Sequence, residues 1–403
     1  MKDFQLSDCC KVITDGDHAA PPKSEDGIPF ITIRNFDSYN SIDFSNTMFV
    51  PEEYYNKLKS SRKAQIGDII YSIVGSFGIP ILIKDNSRFV FQRHIALLRP
   101  NNKIVNSTYL FHLMRSSTFY AVADILAVGS AQRTITLTAL RRTKISLPSI
   151  DIQNRIGEIL SQYDEAIEIN RRRIAILEEM AMRTYREWFV FFRFPGHETT
   201  EFVDGLPNGW LRKSSSSFFD ITIGKTPSRK EPQWFAEKDA ATSWLSISDM
   251  KSNMFVFSSS EDLTEDAVKK HHIVVVEPNT VLLSFKLTVG RVVITGKRMC
   301  TNEAIAHFKT NDILKREYTY CYLKNFQFSI LGSTSSIATA INSKTVKAMP
   351  FVMPNHPILE LFHVKVNPLF EAIKNLVQQN SQLQQMRDRL LPQLMSGQLE
   401  VTP

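Results

Sequence analysis

Gly290-Arg-Val-Val-Ile-Thr-Gly-Lys-Arg298 comes close to a phosphate-cradling loop, in which backbone N–H groups wrap a phosphate chain and a lysine reaches its far end. It fails twice, having five residues between its glycines instead of four, and Arg298 where a Mg²⁺-binding Ser or Thr is required. Asn367-Pro368-Leu369-Phe370 begins like an amino-methyltransferase motif but lacks the second proline before the aromatic that would hold a flipped base. No GxSxG, HExxH or paired Cys/His cluster is present, and the nine histidines are scattered. Cys9, Cys10, Cys300 and Cys321 form no CxxC pair and have no histidine spacing suited to zinc, which fits buried, reduced thiols. These residues predict a chain that is not itself a catalyst and carries neither metal nor cofactor.

The remaining chemistry is that of charge. The formal net charge is +7, and residues 1–150 hold 18 Lys and Arg against 13 Asp and Glu, and 201–350 hold 19 against 15. Residues 151–200 reverse the balance, with 7 against 9. A basic excess confined to two segments points to polyanion binding by those segments. The first residues, Met-Lys-Asp-Phe-Gln-Leu-Ser-Asp, contain no apolar signal core, and no apolar run approaches the roughly 18 residues of a membrane span. A soluble cytoplasmic protein with no membrane partner is expected.

Two helices separate the basic segments. From Pro148 a heptad seam runs through Ile156, Leu160, Tyr163, Ile167, Asn170, Ile174, Leu177, Ala181, Thr184 and Trp188, in steps of four and three. Adding 206 to each position gives Phe362, Val366, Leu369, Ile373, Leu376, Asn380, Leu383, Arg387, Leu390 and Leu394, and Pro148 falls on Pro354. A lone amphipathic helix cannot keep such a seam wet, so the two are expected to pair with each other.

The segments between them repeat as well. Residues 1–150 predict strands at Pro29-Phe-Ile-Thr-Ile-Arg, Gly67-Asp-Ile-Ile-Tyr-Ser-Ile-Val, Gly78-Ile-Pro-Ile-Leu-Ile-Lys and His94-Ile-Ala-Leu-Leu-Arg, then a helix from about Ser107 to Ala123. Ser243-Trp-Leu-Ser-Ile-Ser answers the first strand at an offset of 214, Asn279-Thr-Val-Leu-Leu-Ser and Gly290 the next two at 212, and Thr301-Asn-Glu-Ala-Ile-Ala the fourth at 210. Frameworks that persist while loops change length explain the shrinking offset. The chain reads as module, helix, module, helix: an α+β fold of two similar mixed α/β domains separated by two long helices in an antiparallel coiled coil, with an internal pseudo-twofold repeat. The aromatic run Trp188-Phe-Val-Phe-Phe-Arg-Phe-Pro-Gly-His-Glu, followed by Leu206-Pro-Asn-Gly-Trp210, is either a partner site or the dock that seats the helix on its module. Short apolar runs are usually core, which favours the dock.

That architecture, with Leu147-Pro-Ser-Ile-Asp-Ile-Gln-Asn-Arg-Ile-Gly-Glu-Ile-Leu, the Trp188 to Glu198 linker, Leu206-Pro-Asn-Gly-Trp and the tail Leu390-Leu-Pro-Gln-Leu-Met-Ser-Gly-Gln-Leu, resembles the DNA-specificity (S) subunits of type I restriction-modification systems over essentially the whole chain. The second helix start departs from the pattern, with Leu359 where the first has Gln153. The resemblance implies a first target-recognition domain at 1–147, a spacer helix and linker at 148–195, a second recognition domain at 196–353 and a second spacer helix and tail at 354–403. It implies a bipartite double-stranded DNA target, two methyltransferase (M) subunits bound by the helices, and restriction (R) subunits joining them. S-adenosylmethionine, ATP and Mg²⁺ are then expected on those partners, and none on this chain. A helix of about 34 residues would be about 50 Å long, enough to separate two readers by a B-DNA turn of about 34–36 Å. The alternative is a coiled-coil scaffold that only joins proteins, which would lack salt-sensitive DNA binding.

Direct readout needs side chains with paired donors and acceptors on groove-facing loops. In the first module these are Arg34, Asn35, Gln92, Arg93, His94, Gln132, Arg133 and Thr134. In the second they are Lys225, Arg229, Lys230, Ser248 with Asp249, Lys286, Arg291, Asn302, Ser335 and Asn342. For the helices, antiparallel pairing requires facing seam residues whose numbers have a constant sum. A sum of 550 sets Asn170 opposite Asn380, Ile156 opposite Leu394 and Trp188 opposite Phe362. A buried amide facing an aliphatic group would stay unsatisfied at about 1–3 kcal/mol, so an Asn170–Asn380 bond is expected to fix the register.

Overall fold

The computed structural model describes all residues except 19, 38, 131, 237–240, 251, 252, 332–340 and 403. The chain divides into two units, Met1–Ile167 with Leu383–Pro403, and Glu168–Gln382. Each unit holds one mixed module and part of both long helices.

In the first unit, the apolar runs form a four-stranded antiparallel sheet in the order Cys10–Asp15, Ile95–Pro100, Ile69–Ser72, Pro80–Leu82. Ile69–Ser72 is buried along its whole length, as a continuous apolar run requires. A second sheet orders Met48–Val50, Ile28–Ile31 and Val90–Phe91, with the last two parallel. The first predicted strand is thus shorter than its apolar run, because the chain turns into a 3-10 helix at Ile33–Asn35. The predicted helix from Ser107 to Ala123 is two helices, Ser107–Arg115 and Ser117–Leu126. Ser116 breaks it by taking an extended conformation, its hydroxyl donating to the Leu113 carbonyl at 2.7 Å and accepting the Phe119 N–H at 3.2 Å. A ribbon of Lys2–Gln5 with Lys144–Leu147 closes the module and leads the chain into the first long helix, Ile150–Tyr185.

The second unit repeats this plan. Asp220–Ile223, Ile305–Lys309, Val281–Ser284 and Val292–Thr295 pair in the same order, with Phe255–Val256 added at the edge. Thr242–Leu245 runs parallel to Cys300–Thr301, as Ile28–Ile31 does to Val90–Phe91. The ribbon Leu211–Ser214 with Pro350–Met353 leads into the second long helix, His356–Ser396.

All twenty seam residues are buried or half-buried. In the second unit Asn170 meets Asn380 and the Trp188 ring lies 5.8 Å from that of Phe362, so one helix number rises as the other falls and the pair is antiparallel. In the first unit Ile156 and Leu160 share a core with Leu391 and Leu394, and Asp164 meets Arg387 at 2.5 Å. The aromatic run is mostly core: Trp188, Phe189, Phe194 and Trp210 are buried with Tyr185, Tyr318 and Phe362. Phe191 and Val190 point outward instead.

Candidate nucleic-acid interface

In the first module the parallel pairing of Ile28–Ile31 with Val90–Phe91 brings two loops to the same sheet edge. Arg34 follows one strand; Gln92 and Arg93 follow the other, and Gln92 N–H donates to the Ile31 carbonyl at 3.1 Å. Arg34 and Arg93 are exposed and make no ion pair or side-chain hydrogen bond among the described residues. Beside them, burial and the neighbouring Arg93 hold the His94 imidazole pKa below its ordinary value, which leaves it a neutral donor and acceptor. The His94 carbonyl accepts from Ile73 N–H at 2.9 Å, at the base of the hairpin that joins Ile69–Ser72 to Pro80–Leu82. That hairpin's tip pairs with the Gln132 to Thr134 loop, Gly75 N–H donating to the Arg133 carbonyl at 2.9 Å. Gln132 is exposed; Thr134 is half-buried, in backbone pairing with Val128. The fold therefore gathers 34, 92–94 and 132–134 into one chain of neighbouring loops.

Two of these groups are not available as expected. The buried Asn35 amide accepts the Thr32 N–H at 2.8 Å and donates to the Asp43 carbonyl at 3.0 Å, so it holds its own turn. The Arg133 guanidinium is paired with Asp124 at 2.5 Å and lies over the Phe77 ring, leaving only part of its donor fork facing solvent.

The second module collects its polar groups at the equivalent edge. Lys225 N–H donates to the Thr301 carbonyl and Asn302 N–H to the Leu245 carbonyl, both at 2.9 Å, while an Arg291 Nη donates to the Ile247 carbonyl at 2.7 Å. Lys225, Ser248, Arg291 and Asn302 thus lie together, and Lys286 stands exposed on the hairpin between Val281–Ser284 and Val292–Thr295. Lys225 Nζ already donates to the His271 carbonyl at 2.8 Å, and Asn302 Oδ1 accepts the Ala304 N–H at 3.1 Å. Asp249 does what Asn35 does 214 residues earlier, accepting the Ser246 N–H at 2.9 Å, and the Ser248 hydroxyl bonds Ser246 at 2.6 Å.

Two expectations for this module change. Arg229 makes a two-pronged bond to Glu261, both at 2.7 Å, and stacks over Phe235 and Trp244; the hydrogen bond to Glu261 raises its pKa further. Its fork is occupied, and of that loop's cations the Lys230 side chain alone is exposed without a hydrogen bond or ion pair among the described residues. Asn342 caps the helix Ser343–Ala348 by accepting the Thr345 N–H at 3.0 Å, an N-terminal duty that explains the residue type without DNA. Ser335 lies outside the described residues.

What anchors each module to its helices was not legible as a site. Gln153 is buried; its amide accepts the Asn106 N–H at 2.9 Å and donates to the carbonyls of Ile104 at 3.1 Å and Pro148 at 3.0 Å. At the equivalent place Leu359 is packed in an apolar core, and a charged network replaces the amide. Buried Arg316 bonds Glu317 at 2.5 Å, Glu371 at 3.1 Å, Asn367 at 2.7 Å and Asn279 at 2.9 Å, and Glu317 also meets His363 at 2.9 Å. The helix pair carries two polar layers of its own. Asn170 Nδ2 donates to Asn380 Oδ1 at 2.9 Å and to Gln379 at 3.0 Å. Asp164 meets Arg115 at 3.2 Å and Arg387; burial acts to raise its pKa, but Arg115, His112 and Arg387 outweigh that and hold it below the usual carboxylate value.

Comparison with known proteins now bears on this arrangement. The family described as type I restriction modification DNA specificity domain matches residues 1–179 and 207–376, one stretch in each half. The chain is 23% identical to the type I restriction enzyme HindI specificity subunit of Haemophilus influenzae, over 91% of this chain and 96% of that one. It is 24% identical to the MjaIX specificity subunit of Methanocaldococcus jannaschii, over 93% and 87%. In fold it resembles the type I restriction-modification S subunit of M. genitalium, with a TM-score of 0.54, 13% identity and coverage of 98% and 95%. With two matched stretches that span most of its length, and donors gathered at the same edge of both modules, this chain belongs to the type I restriction-modification DNA-specificity family and is a sequence-recognising subunit with two specificity domains.

Proposed function

We propose that residues 1–147 and 196–353 each read one half of a bipartite duplex target. The repeated gathering of donors carries this reading: Arg34, Gln92, Arg93 and Gln132 in one module, Lys225, Lys286, Arg291 and Asn302 in the other. Each set lies on the ends of the same two parallel strands, on the same hairpin, or on a loop hydrogen-bonded to one of these, as Lys225 is to Thr301 and the Gln132 loop is to Gly75. Arg and Lys supply phosphate contacts and bidentate reading of guanine, and Gln and Asn can pair with adenine.

The segments 148–195 and 354–403 hold the two readers and bind two methyltransferase subunits, which restriction subunits join. Exposed Ile169, Ile176 and Met180 on one helix, and Leu361, Val364 and Met386 on the other, support that role, since apolar groups left on an already paired helix favour a further protein. The chain itself is not a catalyst; S-adenosylmethionine, ATP and Mg²⁺ act on the partners, in the cytoplasm. Among the described residues no group of His, Cys, Asp and Glu could hold a metal, and no helix is long and apolar enough to cross a membrane.

Methylome sequencing of a host with and without the chain tests the reading: one bipartite methylated motif should vanish with it. Exchanging 1–147 for the corresponding module of a relative should then change one half of that motif. Change in both halves, or in neither, would count against two independent readers.

A further inference from the structure

Among the described residues six non-glycine residues have a positive φ, and two of these are large and apolar, Phe192 and Leu287. The left-handed region brings Cβ against the following carbonyl, so such residues persist there only when something compensates. For Phe192 the compensation is visible: its ring packs edge-on against Phe202 at 5.5 Å and Trp210 at 5.7 Å. Leu287, at φ +60°, has no such side-chain packing among the described residues and is 99% exposed.

Leu287 sits at the tip of the hairpin between Val281–Ser284 and Val292–Thr295. The tip is braced: Thr288 N–H donates to the Lys286 carbonyl at 2.6 Å, the Ser284 hydroxyl to the Thr288 carbonyl at 2.6 Å, and Gly290 N–H to the Ser284 carbonyl at 3.0 Å. At the offset of 212 that relates the two hairpins, Leu287 corresponds to Gly75, which takes a positive φ, +71°, without steric cost. Gly75 adjoins the Gln132 to Thr134 loop through its bond to the Arg133 carbonyl. The second module therefore has, at a position where glycine suffices, a rigidly held leucine flanked by exposed Lys286 and without a packing partner among the described residues.

We propose that Leu287 is an apolar wedge with which the second module presses between bases of its half of the DNA target, partly unstacking one step while Lys286 holds the adjoining phosphate. An aliphatic side chain inserted at a base step is a known device for coupling binding to local DNA distortion, and it selects steps that unstack easily. The first module, with Gly75 at the same tip, reads its half without a wedge. The inference rests on the DNA-reading assignment of both modules.

The test is selection from a random duplex library by the full chain, unsubstituted and as Leu287→Gly and Leu287→Asn. Both replacements accept the left-handed conformation, so each should melt at or above the temperature of the unsubstituted chain. For the duplex enriched by the unsubstituted chain, both variants should bind roughly ten- to a hundredfold more weakly, the scale of one mismatched base pair. Sequence preference should relax at one or two adjacent positions in one half-site only. A 2-aminopurine placed at that step should brighten with the unsubstituted chain and stay quenched with the variants. Variants that select the same sequence with the same affinity would overturn the wedge while leaving DNA reading intact. Failure of the unsubstituted chain to enrich any sequence would overturn the reading and the wedge with it.

Discussion

The two modules share strand order, parallel pairing and the ribbon into a long helix, yet different chemistry occupies the start of each helix. The first buries a neutral amide, Gln153, that satisfies three backbone groups, and adds a half-buried ion pair of Arg115 with Asp164. The second fills that position with Leu359 and relies on the buried charges of Arg316 and Glu317, completed by Glu371, His363, Asn279 and Asn367. An amide's loss strands a few neutral groups, whereas loss of one charge leaves its partner ionised and buried. A duplicated fold can therefore drift from one anchoring chemistry to the other, provided that every buried polar group stays paired.

The largest effect should come from breaking the charged anchor. Glu317→Ala leaves Arg316, only 4% exposed, without its nearest carboxylate, and should destabilise the second unit by about 3–5 kcal/mol. Thermal unfolding followed by hydrogen exchange of residues 168–382 would show it; a loss under about 1 kcal/mol would mean that Glu371 alone satisfies the arginine.

Acid should weaken both units next. One buried histidine lies in each module: His112 has no hydrogen-bond partner in the described structure, and His307 is held by Thr222 at 2.9 Å and Thr301 at 2.7 Å. Burial pushes both imidazoles down to about 3. Since the folded pKa lies below the unfolded value of about 6.5, the unfolded chain binds the proton first. The contribution is complete above about pH 6.5 and drains as the pH falls toward 3, by about 2 kcal/mol per histidine at pH 5. His307→Gln should flatten the pH dependence of the second unit's stability between 7 and 5; an unchanged slope would assign the acid sensitivity elsewhere.

A smaller loss is expected from giving the first module the second module's residue. Gln153→Leu should cost about 1–3 kcal/mol in the first unit, because Asn106 N–H and two carbonyls lose their partner and the Arg115–Asp164 ion pair bonds none of them. Denaturant melts of the full chain would measure it, and a neutral result would show that water or rearrangement can satisfy those groups. The smallest effects concern individual cations. Arg34→Ala and Arg93→Ala should each lower the salt dependence of DNA binding by about one ion, or cost about 1–3 kcal/mol if the residue reads a base. Arg229→Ala should matter less, since Glu261 already occupies its fork. Binding isotherms at several salt concentrations would reverse this ranking if the Glu261 pair opens on DNA.

The repeat, the strands and the helix register are consequences of local sequence. Period-two and heptad patterns depend on neighbours a few residues away, and the constant offset between halves exposes duplication. Even the facing of Asn170 and Asn380 follows from the step pattern, because antiparallel geometry leaves few registers that avoid an amide against an aliphatic group. The split at Ser116 was partly legible too, as a serine inside an apolar helical run. The availability of polar side chains was a different matter. Arg229 looks like a reader until Glu261, 32 residues away, closes on it; Asn35 and Asn342 look like readers until their amides are seen capping turns. The Gln153 and Arg316 anchors join groups up to 55 residues apart. Hydrogen-bond partners at such separations leave no periodicity in the chain, so only the tertiary fold decides which donors are satisfied within the protein and which remain for DNA.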